Sequence, residues 1–382
     1  MRFHPESPDI DGAALSRLRF VAAFKKELHK LTGGNTAAYQ ADVAALPLPE
    51  LPRERRAALR QRMEQHPYFM GWSSLMRSSQ DLMWHYTARA VQGSTERLAT
   101  RYKSMSNQAK GAVTLDPALE APGYLVDSDV HRMPGGYASD IDGDDLHAGA
   151  LYDLGGAVYQ LGMSNAAGGL LNDTRGRTLI AHLATRFPGF SPTRILDMGC
   201  NVGHNTLPLA SAFPAAETVG IDVGAALLRY AHLRAEGLGV PVQFIQADAE
   251  RTGFADASFD LVVSQIVLHE TSPQATVNII RESRRLLRPG GVAVHLEIPF
   301  RATEGDDFQQ FMWLWEEYYN AEPNITGVIE DDLVDISKAA GLVEVKMGYQ
   351  DIPPADGVSG FHAEPRRGGG LSQWLIVSGT AT

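Results

Sequence analysis

The chain has 382 residues, and its 34 Lys and Arg against 45 Asp and Glu leave a net charge of −11. An acidic chain has no general field for a phosphate backbone, so nucleic acid is not expected as a main partner. The apolar share of 44% supplies a large core and excludes a wholly disordered chain, and Cys200, the single cysteine, excludes an intramolecular disulfide.

The N-terminal MRFHPESPDIDG has prolines and acids where a signal peptide needs an apolar run. No apolar stretch approaches the roughly 18 residues of a membrane span. A soluble, cytoplasmic protein without a membrane partner is expected. Asp11 is placed to cap a helix whose apolar residues, Leu15, Leu18, Val21, Phe24, Leu28 and Leu31, recur every three or four positions; Gly33-Gly34 is expected to end it. A second helix follows Pro52 with Leu59 and Met63 inward and an arginine-rich, solvated outer face. A third helical stretch covers roughly 72–102 and a shorter one 148–162. Residues 103–147 show no period. Within them, DIDGDDLH at 140–147 reads as an acidic turn, because its glycine falls at position four and a calcium loop needs it at position six.

Past FPGFSPT at 187–193 the pattern changes to short apolar strands alternating with helical periods. Strands are expected at 194–199, 217–222, 242–248, 259–266 and 291–298, then at 342–350 and 373–379. Such alternation predicts an α/β fold, a Rossmann-like seven-stranded doubly wound sheet. Residues 1–170 are expected to form a mostly helical N-terminal region and 171–382 the α/β domain.

Ligands of such sheets bind beyond the carboxyl ends of the strands. The first strand ends in Asp197-Met-Gly199-Cys-Asn201-Val-Gly203, whose glycines allow a tight turn and close backbone approach. Asp197, just before the loop, would repel a pyrophosphate and attract a cation. The second strand ends in Asp222, 19 residues after Gly203, suited to both hydroxyls of a ribose. The third ends in Asp248-Ala249, a carboxylate beside a backbone N–H that suits an adenine edge. A cationic part, a ribose and an adenine without phosphate describe S-adenosylmethionine.

These segments resemble the class I S-adenosylmethionine-dependent methyltransferases. ILDMGCNVG is similar to their first motif, VGID to the second, QADAE to the third, SFDLVVSQIVLHE to the fourth and LLRPGGVAVHLEI to the fifth. The likeness spans about 175–300, the last two strands extend it to 379, and the branch it most resembles acts on small molecules, quinone precursors among them. The resemblance implies an antiparallel last strand. It also implies that Gly199, Asn201 and Gly203 line the methionine, Asp222 and Val223 the ribose, Asp248 and Ala249 the adenine, with Gln265 beside the methyl group. Asn201 departs from the family's usual glycine; asparagine is the next best residue at positive φ, so the turn is expected to survive.

On the reactive face, His269 is a candidate general base, with packing under the cofactor as its alternative. Glu297, ending the fifth strand, is a candidate for orienting the acceptor. Two substrate-side insertions are expected, 299–327 and 351–372. The first carries an aromatic stripe that includes Phe308, Phe311 and Trp315, the second Arg366 and Arg367; Trp315, Arg366 and Tyr159 are the candidate substrate contacts. No metal site is expected. The implied activity is in-line methyl transfer to a small molecule, a specialised metabolite, with a homodimer through the N-terminal helices as a further expectation. Two alternatives remain open, a protein that binds the cofactor without transferring methyl and a methyltransferase of proteins.

Overall fold

The structure, a computed structural model, describes residues 3–105, 108–163, 171–353, 359–366 and 372–382. Nine strands form one sheet: β1 (Ala112–Thr114), β2 (Arg194–Met198), β3 (Glu217–Asp222), β4 (Gln243–Gln246), β5 (Phe259–Gln265), β6 (Leu287–Glu297), β7 (Leu342–Asp351), β8 (Phe361–His362) and β9 (Gln373–Ala381). Their order is β1-β4-β3-β2-β5-β6-β9-β7-β8. The seven expected strands are all present, and β9 runs antiparallel to both neighbours. Two short strands extend the expected seven. β1 pairs parallel with β4 at one edge and β8 antiparallel with β7 at the other.

Strand order reverses between β2 and β5, which lie side by side and parallel. From there β3 and β4 are laid down on one side and β6 on the other, so the crevice opens at the carboxyl ends of β2 and β5. The strands are buried because both faces are covered: Leu196, Val219 and Val262 lie in one core and Ile195, Leu261 and Val294 in another.

Asp11 does cap the first helix, Gly12–Lys30, its Oδ1 accepting from Ala14 N at 2.6 Å. Gly33-Gly34 does not end it; a second helix, Thr32–Asp42, runs through both glycines. The stretch at 72–102 resolves into two helices, Pro67–Gln92 and Thr95–Met105. The arginine-rich face of helix Pro52–Met63 is less solvated than expected. Arg55 meets Asp307 at 3.3 Å, Arg56 pairs with Glu330 and Arg60 with Glu64.

The two expected regions share their packing. Leu18, Val21, Met83, Leu151 and Leu154 from the N-terminal helices form one core with Leu227 and Tyr230 of helix Ala225–Leu238. The same helix is clamped by charge. Asp153 receives His4 Nε2 at 2.6 Å, His204 Nε2 at 2.7 Å and Tyr230 Oη at 2.8 Å. The aromatic stripe is core: Phe308, Phe311 and Trp315 pack with Leu59, Phe69 and Trp72. The acidic turn closes on itself and on Arg229, which meets Asp140 at 3.1 Å, while Asp142 and Asp145 accept backbone N–H groups.

Candidate active site

A cavity lies over the carboxyl ends of β2 to β5. Its floor is Gly199, Asn201, Asp222, Val223, Asp248, Ala249 and Gln265, seven residues expected there from the sequence. Gly199 has φ +69° and Asn201 φ +48°, so the asparagine keeps the turn that a glycine would allow. The loop is tied to the second strand: Asn201 N donates to Asp222 Oδ2 at 2.8 Å, and Gly224 N donates to the other oxygen at 3.0 Å. Burial pushes the Asp222 carboxyl up, opposed by these N–H groups, and burial likewise raises Asp248.

Two expected cofactor contacts lie outside the lining. Asp197 is fully buried beneath the loop, where Asn205 Nδ2 and Thr206 Oγ1 donate to it at 3.0 and 2.6 Å. Burial moves its pKa up to about 6. It ties Asn205 and Thr206 to the strand end from outside the lining. Gly203, at φ +80°, makes the turn into the following helix and is also outside the lining.

The expected catalytic pair is also absent from the lining. His269 and Glu297 do not reach the cavity; they hold each other, Nδ1 to Oε2 at 2.6 Å, at 3% and 0% exposure. Burial would lower the imidazole's pKa, but Glu297 and Glu270 raise it well above its ordinary value. Its two ring nitrogens face glutamates, Nδ1 towards Glu297 and Nε2 towards Glu270 at 3.6 Å, and neither is presented to the cavity. The group that does face the cavity is its neighbour, Glu270. Its Oε1 lies 2.9 Å from His131 Nε2, accepts from Tyr137 Oη at 3.1 Å and stands 3.6 Å from His269 Nε2. Burial would raise the Glu270 carboxyl, yet His131 and His269 hold it well below the carboxylate range. Burial and the Glu270 charge push Tyr137 well above its usual value, so its hydroxyl stays neutral.

The three expected substrate contacts are elsewhere. Tyr159 donates to Gln80 Oε1 at 2.5 Å, with Lys25 Nζ 5.0 Å from its ring centre, inside the helical region. Trp315 donates through Nε1 to Ser73 Oγ at 2.8 Å in the aromatic core. Arg366 is exposed and pairs with Asp351 at 3.1 Å, and Arg367 lies outside the described residues. The rest of the lining includes residues from the aperiodic stretch and the helix after it: Tyr124, Leu125, Tyr137 and Tyr152. Tyr152 lies on helix His147–Met163, seven residues before Tyr159. Tyr124, Tyr137 and His131 carried no signal beyond being polar or aromatic residues in a long loop, where functional groups concentrate.

The donor set tests which ligand fits. Among the described residues the lining holds three carboxylates and no Lys or Arg. Four of its residues carry a buried oxygen with no hydrogen-bond partner: Asn201 Oδ1, Asn205 Oδ1, Gln265 Oε1 and Glu270 Oε2. Such a site rejects a pyrophosphate and wants N–H donors and positive charge. S-adenosylmethionine, with an ammonium, a sulfonium and an adenine amine, fits it.

Comparison with known proteins points the same way. Residues 195–291 match a family profile described as a methyltransferase domain. Over 109 residues the chain is 36% identical to the demethylmenaquinone methyltransferase of Thermus thermophilus, covering 28% of this chain and 49% of that protein. Over 119 residues it is 35% identical to the malonyl-[acyl-carrier protein] O-methyltransferase of Methylococcus capsulatus, covering 30% and 40%. The chain thus spans about half or less of these curated relatives. A solved structure of a putative O-methyltransferase from Nostoc punctiforme superposes with a TM-score of 0.42 at 16% identity, covering 60% of each chain.

Proposed function

We propose that this chain, whose residues 195–291 match a methyltransferase domain, is a class I S-adenosylmethionine-dependent methyltransferase that transfers a methyl group to a small specialised metabolite. The observation that carries the reading is the set of unpartnered acceptor oxygens in a cavity floored by Asp222 and Asp248. Asp222 would hold the ribose and Asp248 with Ala249 the adenine, while Asn201, Asn205 and Gln265 would take the ammonium. When bound, S-adenosylmethionine supplies an electrophilic methyl carbon on a sulfonium.

The protein's own part is alignment and exclusion of water, which in intramolecular models are worth roughly 7–11 kcal/mol. Glu270, kept ionised by His131, offers Oε2 to an O–H or N–H of the acceptor and so orients it. A carboxylate with so low a pKa is a poor base and a good acceptor. Residues 1–170 act as the cover: His131 sets Glu270, and Tyr137 and Tyr152 wall the reactive end. The two relatives, a demethylmenaquinone methyltransferase and a malonyl-[acyl-carrier protein] O-methyltransferase, are consistent with a metabolite acceptor.

The test is incubation with methyl-labelled S-adenosylmethionine, a small-molecule extract and total cell protein. Label in the small-molecule fraction is the expected result. Label on a polypeptide, or tight binding without any transfer, overturns the small-molecule reading.

A further inference from the structure

The lining described above is rich in acceptors and short of donors, yet the amino-acid end of the ligand read for it is a zwitterion. An ammonium finds oxygens there. A carboxylate finds no cation within the lining itself. One stands at its border. Arg175 is the second residue of the thirteen-residue helix Thr174–Arg186. This helix end abuts the cavity loop, since a Cβ added at the adjacent Gly176 would lie 3.3 Å from Asn205 Cα. The guanidinium charge acts on Tyr152, Tyr137 and His204, all lining residues.

Nothing among the described residues neutralises Arg175. The nearby Asp173 is engaged by Arg177 at 3.4 Å. Arg175 Nε is buried without a hydrogen-bond partner. Its guanidinium carbon lies 5.7 Å from the ring centre of Trp374, whose indole Nε1 is also buried without a partner and which is only 8% exposed. Each unmade bond of this kind costs roughly 1–3 kcal/mol, and two neighbouring donors make a place that an anionic ligand would satisfy. A planar carboxylate matches a guanidinium fork with an indole N–H beside it.

We propose that Arg175 and Trp374 form a carboxylate-binding subsite at the border of the cofactor cavity. The proposal rests on the S-adenosylmethionine reading. The carboxylate belongs either to that ligand's amino-acid end or to the methyl acceptor, and the two sources are separable by experiment.

Calorimetry on the full chain uses three titrants: S-adenosylhomocysteine; methylthioadenosine, which lacks the amino-acid end; and benzoate added to the S-adenosylhomocysteine-loaded protein. For R175Q we expect S-adenosylhomocysteine to bind on the order of 10- to 100-fold more weakly, the range for hydrogen bonds to charged groups. R175K should fall between, W374F should lose several-fold, and methylthioadenosine should bind wild type and R175Q alike, which also shows that R175Q is folded. Unchanged S-adenosylhomocysteine binding, with benzoate uptake by the loaded wild type that R175Q abolishes, assigns the subsite to the acceptor's carboxylate. R175Q matching wild type with all three titrants overturns the subsite. If wild type binds neither nucleoside, the cofactor reading falls on its own, and benzoate binding to free wild type against R175Q then decides Arg175.

Discussion

Glu270 stands where three parts of the chain meet: its own loop after β5, His131 from the N-terminal region, and Glu322 from the segment after β6, which sits 2.6 Å from His131 Nδ1. His131 adopts φ +54°, a left-handed conformation a non-glycine residue takes only when its surroundings fix it. Here Trp84 Nε1 and Gln80 Nε2 fix it, both donating to its carbonyl at 2.7 and 2.9 Å. His269, in contrast, is held by Glu297 outside the lining. H269Q should cost ~3–5 kcal/mol of stability, because Glu297 is left buried without its cation. Urea unfolding measures that loss, while S-adenosylhomocysteine affinity is expected to stay within a few-fold. A collapse of affinity with unchanged stability would return His269 to the site. D222A should do the opposite, weakening S-adenosylhomocysteine on the order of 10- to 100-fold by removing a charged acceptor, as calorimetry would read.

The loop after β2 is the element that turns strand ends into a binding surface. Gly199 is required twice. Its φ is +69°, and an added Cβ would lie 2.6 Å from Val267 Cγ2. G199A is therefore expected to destabilise by ~1–3 kcal/mol, whereas N201G should leave the thermal midpoint equal or higher, since it relieves a positive φ at no steric cost. A G199A midpoint equal to wild type would refute this account of the turn. This loop and the acids at 222 and 248 are legible in the sequence, because strand period and glycine chemistry are local. Asp197 lies buried outside the lining for a physical reason that the sequence does not show. A strand-end carboxylate serves the ligand or the loop equally well, and the choice depends on Asn205 and Thr206, eight and nine residues on, turning back toward it. His131 and Tyr137 are not legible at all. They reach Glu270 across 139 and 133 positions of chain, from a stretch without period.

At the scale of the molecule, its histidines set a pH window. Burial lowers His182, His204 and His295 to about 4. Against an unfolded value of ~6.5, the stability they contribute is whole above that pH and is lost as pH falls through 4. Asp197, raised to about 6, works against one of the three over the same range. His131 and His269 are raised well above 6.5 by their glutamates, despite burial. Their contribution is complete below ~6.5 and is lost as pH climbs through their folded values. Stability should therefore peak near pH ~6.5, with unfolding taking up protons on the acid side and releasing them on the alkaline side. Calorimetric midpoints from pH 4 to 9 check this, and a monotonic rise with pH would contradict it.

The N-terminal region is also part of the sheet. β1 covers the edge of β4, and Tyr230 and Leu227 share a core with helices from the first 160 residues. Residues 171–382 expressed alone should aggregate, which light scattering would detect.

Because Tyr124, Leu125, Tyr137 and Tyr152 all line the nucleoside crevice, the cover has a kinetic corollary. A nucleoside seated there would pass these side chains on entry and departure. Entry and departure would then be gated, and each round of turnover would wait on the parting of the cover. Stopped-flow association of S-adenosylhomocysteine should level off at high concentration, with the plateau marking the rate at which the gate opens.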